Sequence, residues 1–167
     1  MLNPAGPDLD QAWIASRLPH GGRMCLLERV LAWDAAQVVC RADNHRDPQH
    51  PLRQFGRLGA ACGVEYAAQA MALHCVLADE APGGGAAPGS PAAPRPGMLV
   101  GVRDLRLRVT RLDDVAGPLQ VRAERLGAGE ELLLYAFSVF AGPRLLLDGR
   151  ASILLGRGAG PRDAASP

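Results

Sequence analysis

The sequence contains no lysine, few aromatic residues and almost no net charge. All 18 of its basic residues are arginines, the acidic residues number 17, and the net charge of the 167-residue chain is +1. A nearly neutral surface lacks the basic patches that bind nucleic acids and anionic membranes. Aromatic residues make up 4% of the chain, too few for the stacking platforms that bind single-stranded nucleic acid. We therefore expect neither a nucleic-acid partner nor a membrane partner.

Targeting segments and metal-ligand patterns are also missing from the sequence. Residues 1–10 include two aspartates and no apolar stretch, unlike a signal peptide. No uninterrupted apolar run approaches the ~18 residues of a transmembrane helix. The four cysteines are widely spaced, with no Cys-x-x-Cys pair and no histidine at zinc-finger spacing. We expect free thiols, no metal and a cytoplasmic protein.

Glycine and proline are abundant, at 20 and 14 residues, but more than half of them fall in residues 1–7, 81–97 and 156–167. Stretches this rich in the two residues form neither helices nor sheet ladders. The sequence therefore predicts a single domain over residues 9–157 that includes a flexible loop at 80–97. A flexible N-terminus at 1–8 and a flexible tail at 158–167 flank this domain.

The rest of the pattern predicts a short helix at 9–17, two strands, one long helix and four more strands. Residues 58–78 are rich in alanine, contain no proline and have few polar side chains. They predict a helix that is covered by protein on most of its circumference. Apolar alternation between turn residues predicts strands at 24–33, 37–42, 98–112, 119–125, 131–141 and 144–155. In the third strand the alternation changes phase near Arg103 and Asp104, which indicates a β-bulge.

Runs of strands on both sides of one helix are typical of an α+β protein with an antiparallel sheet. We expect about six strands curled around the long helix, with part of the helix left for a second subunit to cover. The strand at 98–112 would otherwise leave an unpaired edge, which favours a homodimer.

Two segments resemble the hotdog-fold 3-hydroxyacyl-acyl-carrier-protein dehydratases of the FabA/FabZ type. LPHGGRMCLLERVLAWD, residues 18–34, resembles the Leu-Pro-His segment and apolar strand with which these enzymes begin. VEYAAQAMA, residues 64–72, resembles their central-helix motif. With GVRDLRLRV at 101–109, the pattern looks closest to the ApeP-like branch, which is associated with aryl-polyene pigment clusters. The resemblance covers roughly residues 10–157 and implies a hotdog fold, a curled antiparallel sheet wrapped around one long central helix.

The resemblance also implies an activity and partners. A (3R)-hydroxyacyl thioester on acyl carrier protein would lose water to give the trans-2-enoyl thioester, in fatty-acid or polyketide-type biosynthesis. A base removes the C2 proton and an acid protonates the departing 3-hydroxyl, so the chemistry needs no cofactor and no metal. The implied partners are the acyl carrier protein and a second copy of the chain, in a homodimer or a larger hotdog oligomer.

Glu65 falls on the catalytic acid of the family and is the candidate general acid. A carboxyl among the apolar residues of this helix would be withdrawn from water, which favours its protonated form. The helix dipole and exposure to water also explain a glutamate in the first turns. Gln69, one turn later, either orients Glu65 or a water, or makes an ordinary polar contact. Gly59 and Gly63 either let the thioester approach the backbone or allow close helix–sheet packing.

The candidate base is His50 or His20. Relatives carry their histidine in a Gly-His-Phe-Pro stretch before the helix, and the nearest match here is His50-Pro51, fifteen residues before Glu65. His20 lies in the Leu-Pro-His motif. Two other functions stay open because hotdog folds host several activities. One is an acyl thioesterase, and the other is a non-catalytic subunit that binds an acyl chain or pairs with an active homologue.

Overall fold

The computed structural model describes residues 2–4, 8–81, 97–129 and 131–156. Its helices are α1 (Gln11–Arg17) and α2 (Gly63–Glu80), with 3₁₀ turns at Gly22–Met24, Asn44–Arg46 and Ala60–Cys62. Its strands are β1 (Asn3–Pro4), β2 (Arg29–Trp33), β3 (Gln37–Ala42), β4 (Gly97–Leu107), β5 (Leu119–Ala128), β6 (Leu132–Ala141) and β7 (Arg144–Leu155). The predicted tail at 158–167, most of the predicted loop at 80–97 and half of the segment 1–8 lie outside the described residues.

The strands form one antiparallel sheet in the order β1-β2-β3-β5-β6-β7-β4. The sheet encloses α2, which packs against β3, β5 and β6. β1 contributes only two residues, so the sheet consists in practice of six main strands around one long helix. The predicted α+β architecture is confirmed.

α2 is buried because its apolar sequence lies inside the curled sheet. Tyr66, Ala70 and Leu73 are fully inaccessible, and alternate residues of the strands, such as Val121 and Val139, complete the core. The stretch Ala60–Glu80 has the length and hydropathy of a membrane span, but 61% of its most apolar window is buried inside the protein. Burial in the core accounts for that hydropathy.

The predicted bulge in the strand after the helix is confirmed. The pairing of β4 with β7 shifts register between Arg103 and Arg106, and Asp104 takes a positive φ of 53°. A second shift lies between Leu99 and Gly101. β4 itself ends at Leu107, earlier than the predicted end at 112, because Arg111 bridges to Gly59 in front of α2 instead of continuing along β7.

The first long strand is shorter than the predicted range of 24–33. A 3₁₀ turn occupies Gly22–Met24 and β2 begins only at Arg29. The intervening backbone turns toward α2, where the Leu26 N–H donates to the side chain of Gln69. A polar helix residue therefore replaces a neighbouring strand as the hydrogen-bond partner of this segment.

Candidate functional site

Glu65 lies in the first turn of α2, with its side chain about one-third exposed. Gln69 Nε2 donates to Glu65 Oε1 at 3.1 Å, and His20 Nε2 lies 3.2 Å from the same oxygen. Both contacts go to Oε1, and the structure shows no hydrogen bond to Oε2 within the described ranges. The carboxyl group is therefore anchored through one oxygen and presents the other to the surroundings.

Gln69 is a fully buried side chain whose amide is held on both sides. Its Oε1 accepts from the Leu26 N–H at 2.9 Å, and its Nε2 donates to the Met24 carbonyl at 2.7 Å as well as to Glu65. These backbone contacts determine which way the amide faces, because only the NH₂ end can donate. Gln69 is thus oriented by the segment before β2 and in turn orients Glu65.

His20 follows α1 in the Leu-Pro-His segment and reaches across to α2. With a hydrogen bond from Nε2–H to Glu65 Oε1, a neutral imidazole carries its proton on Nε2 and a lone pair on Nδ1. Nδ1 is buried and no group in the described part of the chain hydrogen-bonds to it. The ring therefore holds an unused proton acceptor beside Glu65.

His50 contacts a different residue of α2, Tyr66, which directly follows Glu65. Its Nε2 contacts Tyr66 Oη at 2.9 Å, while the Leu52 N–H donates to Nδ1 at 3.2 Å. The Tyr66 hydroxyl in turn donates to Asn44 Oδ1 at 2.7 Å. Burial lowers the pKa of His50 and keeps the ring neutral. Within one chain the structure therefore brings His20, rather than His50, to Glu65.

The two candidate glycines occupy different surroundings. Gly63 is buried at the start of α2, and a Cβ built there would overlap the side chain of Leu147. Its lack of a side chain therefore permits close helix–sheet packing. Gly59 is exposed in extended backbone, and a Cβ there would meet no atom within 4 Å. A role for either glycine in binding substrate stays a prediction.

A groove of about 910 Å³ runs along α2 from Glu65 and His20. On the helix it is lined by Ala68, Ala72, Cys75 and Asp79, spaced three or four residues apart. At ~1.5 Å of rise per residue, the stripe from Ala68 to Asp79 is about 17 Å long. The apolar residues that face the helix are Leu18, Met98, Leu99, Leu133, Ile153 and Leu155, and the side chains of Arg17 and Arg125 also line the groove. We call this cavity the α2 groove.

Cys75 connects the wall of the α2 groove to a buried hydrogen-bonded chain. His74 Nε2 donates to the Asp34 carbonyl at 3.0 Å, so its Nδ1 accepts from Tyr135 Oη at 2.8 Å. The Cys75 thiol lies 3.5 Å from the same phenol oxygen. Burial raises the pKa of the Cys75 thiol. Cys75 therefore lines the groove as a neutral thiol and not as a thiolate nucleophile.

The sequence model of the ApeP-like family, ApeP dehydratase, matches residues 12–157. The chain belongs to the ApeP-like family. No curated protein sequence gives a significant match.

Solved structures resemble this ApeP-like chain over most of its length. The dehydratase heterocomplex ApeI:P from Xenorhabdus doucetiae matches with a TM-score of 0.71 and 23% identity, over 86% of this chain and 91% of that one. Zebra fish thioesterase superfamily member 2 matches at 0.58 and 16%, over 87% and 93%. A thioesterase family protein from Silicibacter pomeroyi matches at 0.56 and 15%, over 89% and 96%. At these identities the likeness shows the fold, and the predicted hotdog fold is confirmed.

The lining of the groove in this ApeP-like chain was not predicted from its sequence. Ala68, Ala72 and Cys75 recur at helical spacing on the side of Glu65, and this stripe of small residues is the signal that marks an open helix face. The opposing residues Leu133 and Ile153 come from strands more than fifty residues away in the chain. Only the sheet register brings them to the helix.

Proposed function

We propose that this ApeP-like protein dehydrates a (3R)-hydroxyacyl thioester, carried on acyl carrier protein, to the trans-2-enoyl thioester. The observation that carries the proposal is the Glu65–His20 pair at one end of an apolar groove. An acyl chain fits a groove whose polar groups are confined to a few positions. Membership of the dehydratase family supports the same reaction. As the specific substrate we propose an aryl-polyene intermediate.

In the proposed mechanism His20 is the base and Glu65 is the acid. His20 Nδ1 is buried before substrate binds, so the ring must rotate about its hydrogen bond to Glu65 Oε1 and expose Nδ1 to the groove, where Nδ1 takes the C2 proton. Glu65 Oε2 carries the proton that joins the 3-hydroxyl as the C3–O bond breaks and water leaves. The C2–H electron pair becomes the new C2–C3 double bond, and exchange with water returns a proton from His20 to Glu65. Acid and base act on adjacent carbons, which suits two groups that touch each other.

The direct test uses a purified 3-hydroxyacyl carrier protein as substrate. Wild-type protein is expected to produce the enoyl thioester with no free thiol, and Glu65→Gln is expected to lower turnover roughly 10²–10⁴-fold, the usual contribution of one general acid. The glutamine keeps the size of the side chain and its acceptor for Gln69. Undiminished turnover by Glu65→Gln would contradict the mechanism.

A hotdog thioesterase is the second candidate, because two of the structural relatives named above are thioesterases. The free lone pair of His20 Nδ1 is as able to activate a water as to remove a C2 proton. Products separate the two: hydrolysis releases a free carrier thiol, and dehydration preserves the thioester. If neither product forms, the chain is a non-catalytic subunit, in line with the heterocomplex organisation of ApeI:P.

We further propose that the chain acts as a homodimer or larger hotdog oligomer. β4 is the last strand of the sheet, so one of its edges has no partner within the described residues. Its exposed apolar side chains are Met98, Leu99, Val100, Leu105 and Leu107. A long edge strand with this composition is normally covered by another chain. We also propose that the protein is cytoplasmic and has neither a membrane partner nor a nucleic-acid partner.

A further inference from the structure

The α2 groove is apolar along most of its length but not at the end remote from Glu65. Small residues of α2 and the apolar side chains that face them make up most of the lining. Besides Glu65, the lining includes the charged residues Arg17, Asp79 and Arg125. Asp79 lies almost four helical turns after Glu65, about 21 Å along the helix axis. The contacts of the two arginines place them at this far end as well.

Arg17 is held in place by three neighbouring side chains. Its Nε donates to Glu80 Oε1 at 2.9 Å, and its Nη1 donates to Ser16 Oγ at 3.0 Å. Its guanidinium carbon lies over the Trp13 ring, 5.1 Å from the ring centre, as in a cation–π contact. Because Glu80 is the last residue of α2, these contacts place the guanidinium group at the end of the helix opposite Glu65.

Arg125 is held at the same end by the turn between β2 and β3. Its Nη2 donates to the Ala35 carbonyl in this turn at 2.8 Å. The turn also contacts the second half of α2, because His74 Nε2 donates to the Asp34 carbonyl at 3.0 Å. Arg17 and Arg125 therefore approach the far end of the groove from two sides, one from α1 and the other from β5.

Charged groups at this end oppose contact with the end of an alkyl chain. A guanidinium group that loses water to a hydrocarbon also loses hydrogen bonds that the hydrocarbon cannot replace. The apolar part of the groove, by contrast, gains binding free energy from each methylene group that it covers. The affinity of the groove for an unbranched alkyl chain should therefore rise with chain length only until the chain end reaches the two arginines.

We propose that Arg17 and Arg125 form a polar stop, which limits the length of the alkyl chain that the α2 groove accepts. The two arginines would then determine the chain-length specificity of the acyl site, so this inference rests on the acyl-binding role of the groove proposed above. A fully extended chain advances roughly 1.2 Å per bond. From Glu65, about 12 bonds beyond C3 reach the level of Cys75, and about 17 reach the level of Asp79. The polar stop therefore corresponds to acyl chains of roughly 15 to 20 carbons.

Acyl-pantetheine amides of increasing chain length, which cannot be hydrolysed, test the polar stop without turnover, by competition against a fluorescent acyl probe. For wild type the affinity should rise by up to about fourfold per added methylene and stop rising at roughly 15 to 20 carbons. In Arg125→Met and in Arg17→Met this break should move to longer chains, because methionine is apolar and carries no charge. Arg122→Met, at an exposed position of β5, is the control and should leave the break in place. A missing break in wild type, or one that neither groove variant moves, would overturn the proposal.

A terminal hydroxyl group on the same ligands supplies a second test. On a chain long enough to reach the polar stop, the hydroxyl oxygen can accept a hydrogen bond from a guanidinium group, which a methyl group cannot. Wild type should bind the hydroxyl-terminated chain at least about tenfold more tightly than the methyl-terminated one, and Arg125→Met should lose most of this preference. Equal affinities of wild type for the two ligands would contradict the proposal. A break that moves as expected, in a protein that forms no enoyl thioester, would instead reject the proposed reaction alone.

Discussion

Gln69→Leu removes the side chain that ties α2 to the segment before β2, while it keeps a similar volume in the core. The change leaves the buried Leu26 N–H without its acceptor and the half-buried Met24 carbonyl without its donor. An unsatisfied buried backbone group costs about 1–3 kcal/mol, and partial access to water reduces the cost at Met24. We expect the free energy of unfolding to fall by about 2–4 kcal/mol.

The assay is urea denaturation followed by circular dichroism at fixed protein concentration, because oligomerisation makes stability depend on concentration. In a thermal scan the same loss corresponds to a drop of roughly 5–15 °C in Tm for a chain of this size. Gln120→Leu, at an exposed position of β5, is the control and should stay within ~0.5 kcal/mol of wild type. If Gln69→Leu were as stable as Gln120→Leu, the three-way hydrogen-bond arrangement would be wrong.

Two further predictions concern packing and pH. Gly63→Ala should lower the free energy of unfolding, measured in urea, by about 1–3 kcal/mol, because the new methyl group overlaps Leu147. In Gly59→Ala the new methyl group meets open space, so this variant should be nearly as stable as wild type. Equal effects of the two substitutions would contradict the packing role of Gly63. Burial lowers the pKa of His45, His50 and His74 in the folded chain. Below pH ~6.5 the unfolded chain therefore binds more protons than the folded one, and the free energy of unfolding falls as the pH is lowered. Unfolding in urea at pH 7.5 and 5.5 measures this loss, and equal stability at the two values would exclude it.

Much of the fold follows from local patterns in the sequence. β3 and β7 have the predicted bounds because each alternation is framed by turn residues, and the bulge near Asp104 follows from a change of phase within one strand. β2 differs because a distant side chain, Gln69, takes over the backbone hydrogen bonds of residues 24–26. A local pattern carries no information on such a partner.

Some contacts of the candidate site also follow from local spacing in the sequence, and others do not. Glu65 and Gln69 are four residues apart on a helix, so their contact follows from helical spacing alone. The choice between His20 and His50 depends on which loop crosses the helix on the side of Glu65. Forty-five residues separate His20 from Glu65, and only the packing of α1 against α2 brings the two together.

The identity of the base is tested by comparing His20→Gln with His50→Gln for turnover of a 3-hydroxyacyl carrier protein. Both variants are first checked for folding, since His50 is buried and bonded to Tyr66. His20→Gln is expected to lower turnover roughly 10²–10⁴-fold with normal stability, because it removes the base. His50→Gln should lower stability and leave turnover by the folded fraction largely intact. Full activity of His20→Gln, with loss of turnover in folded His50→Gln, would contradict the assignment of His20 as the base.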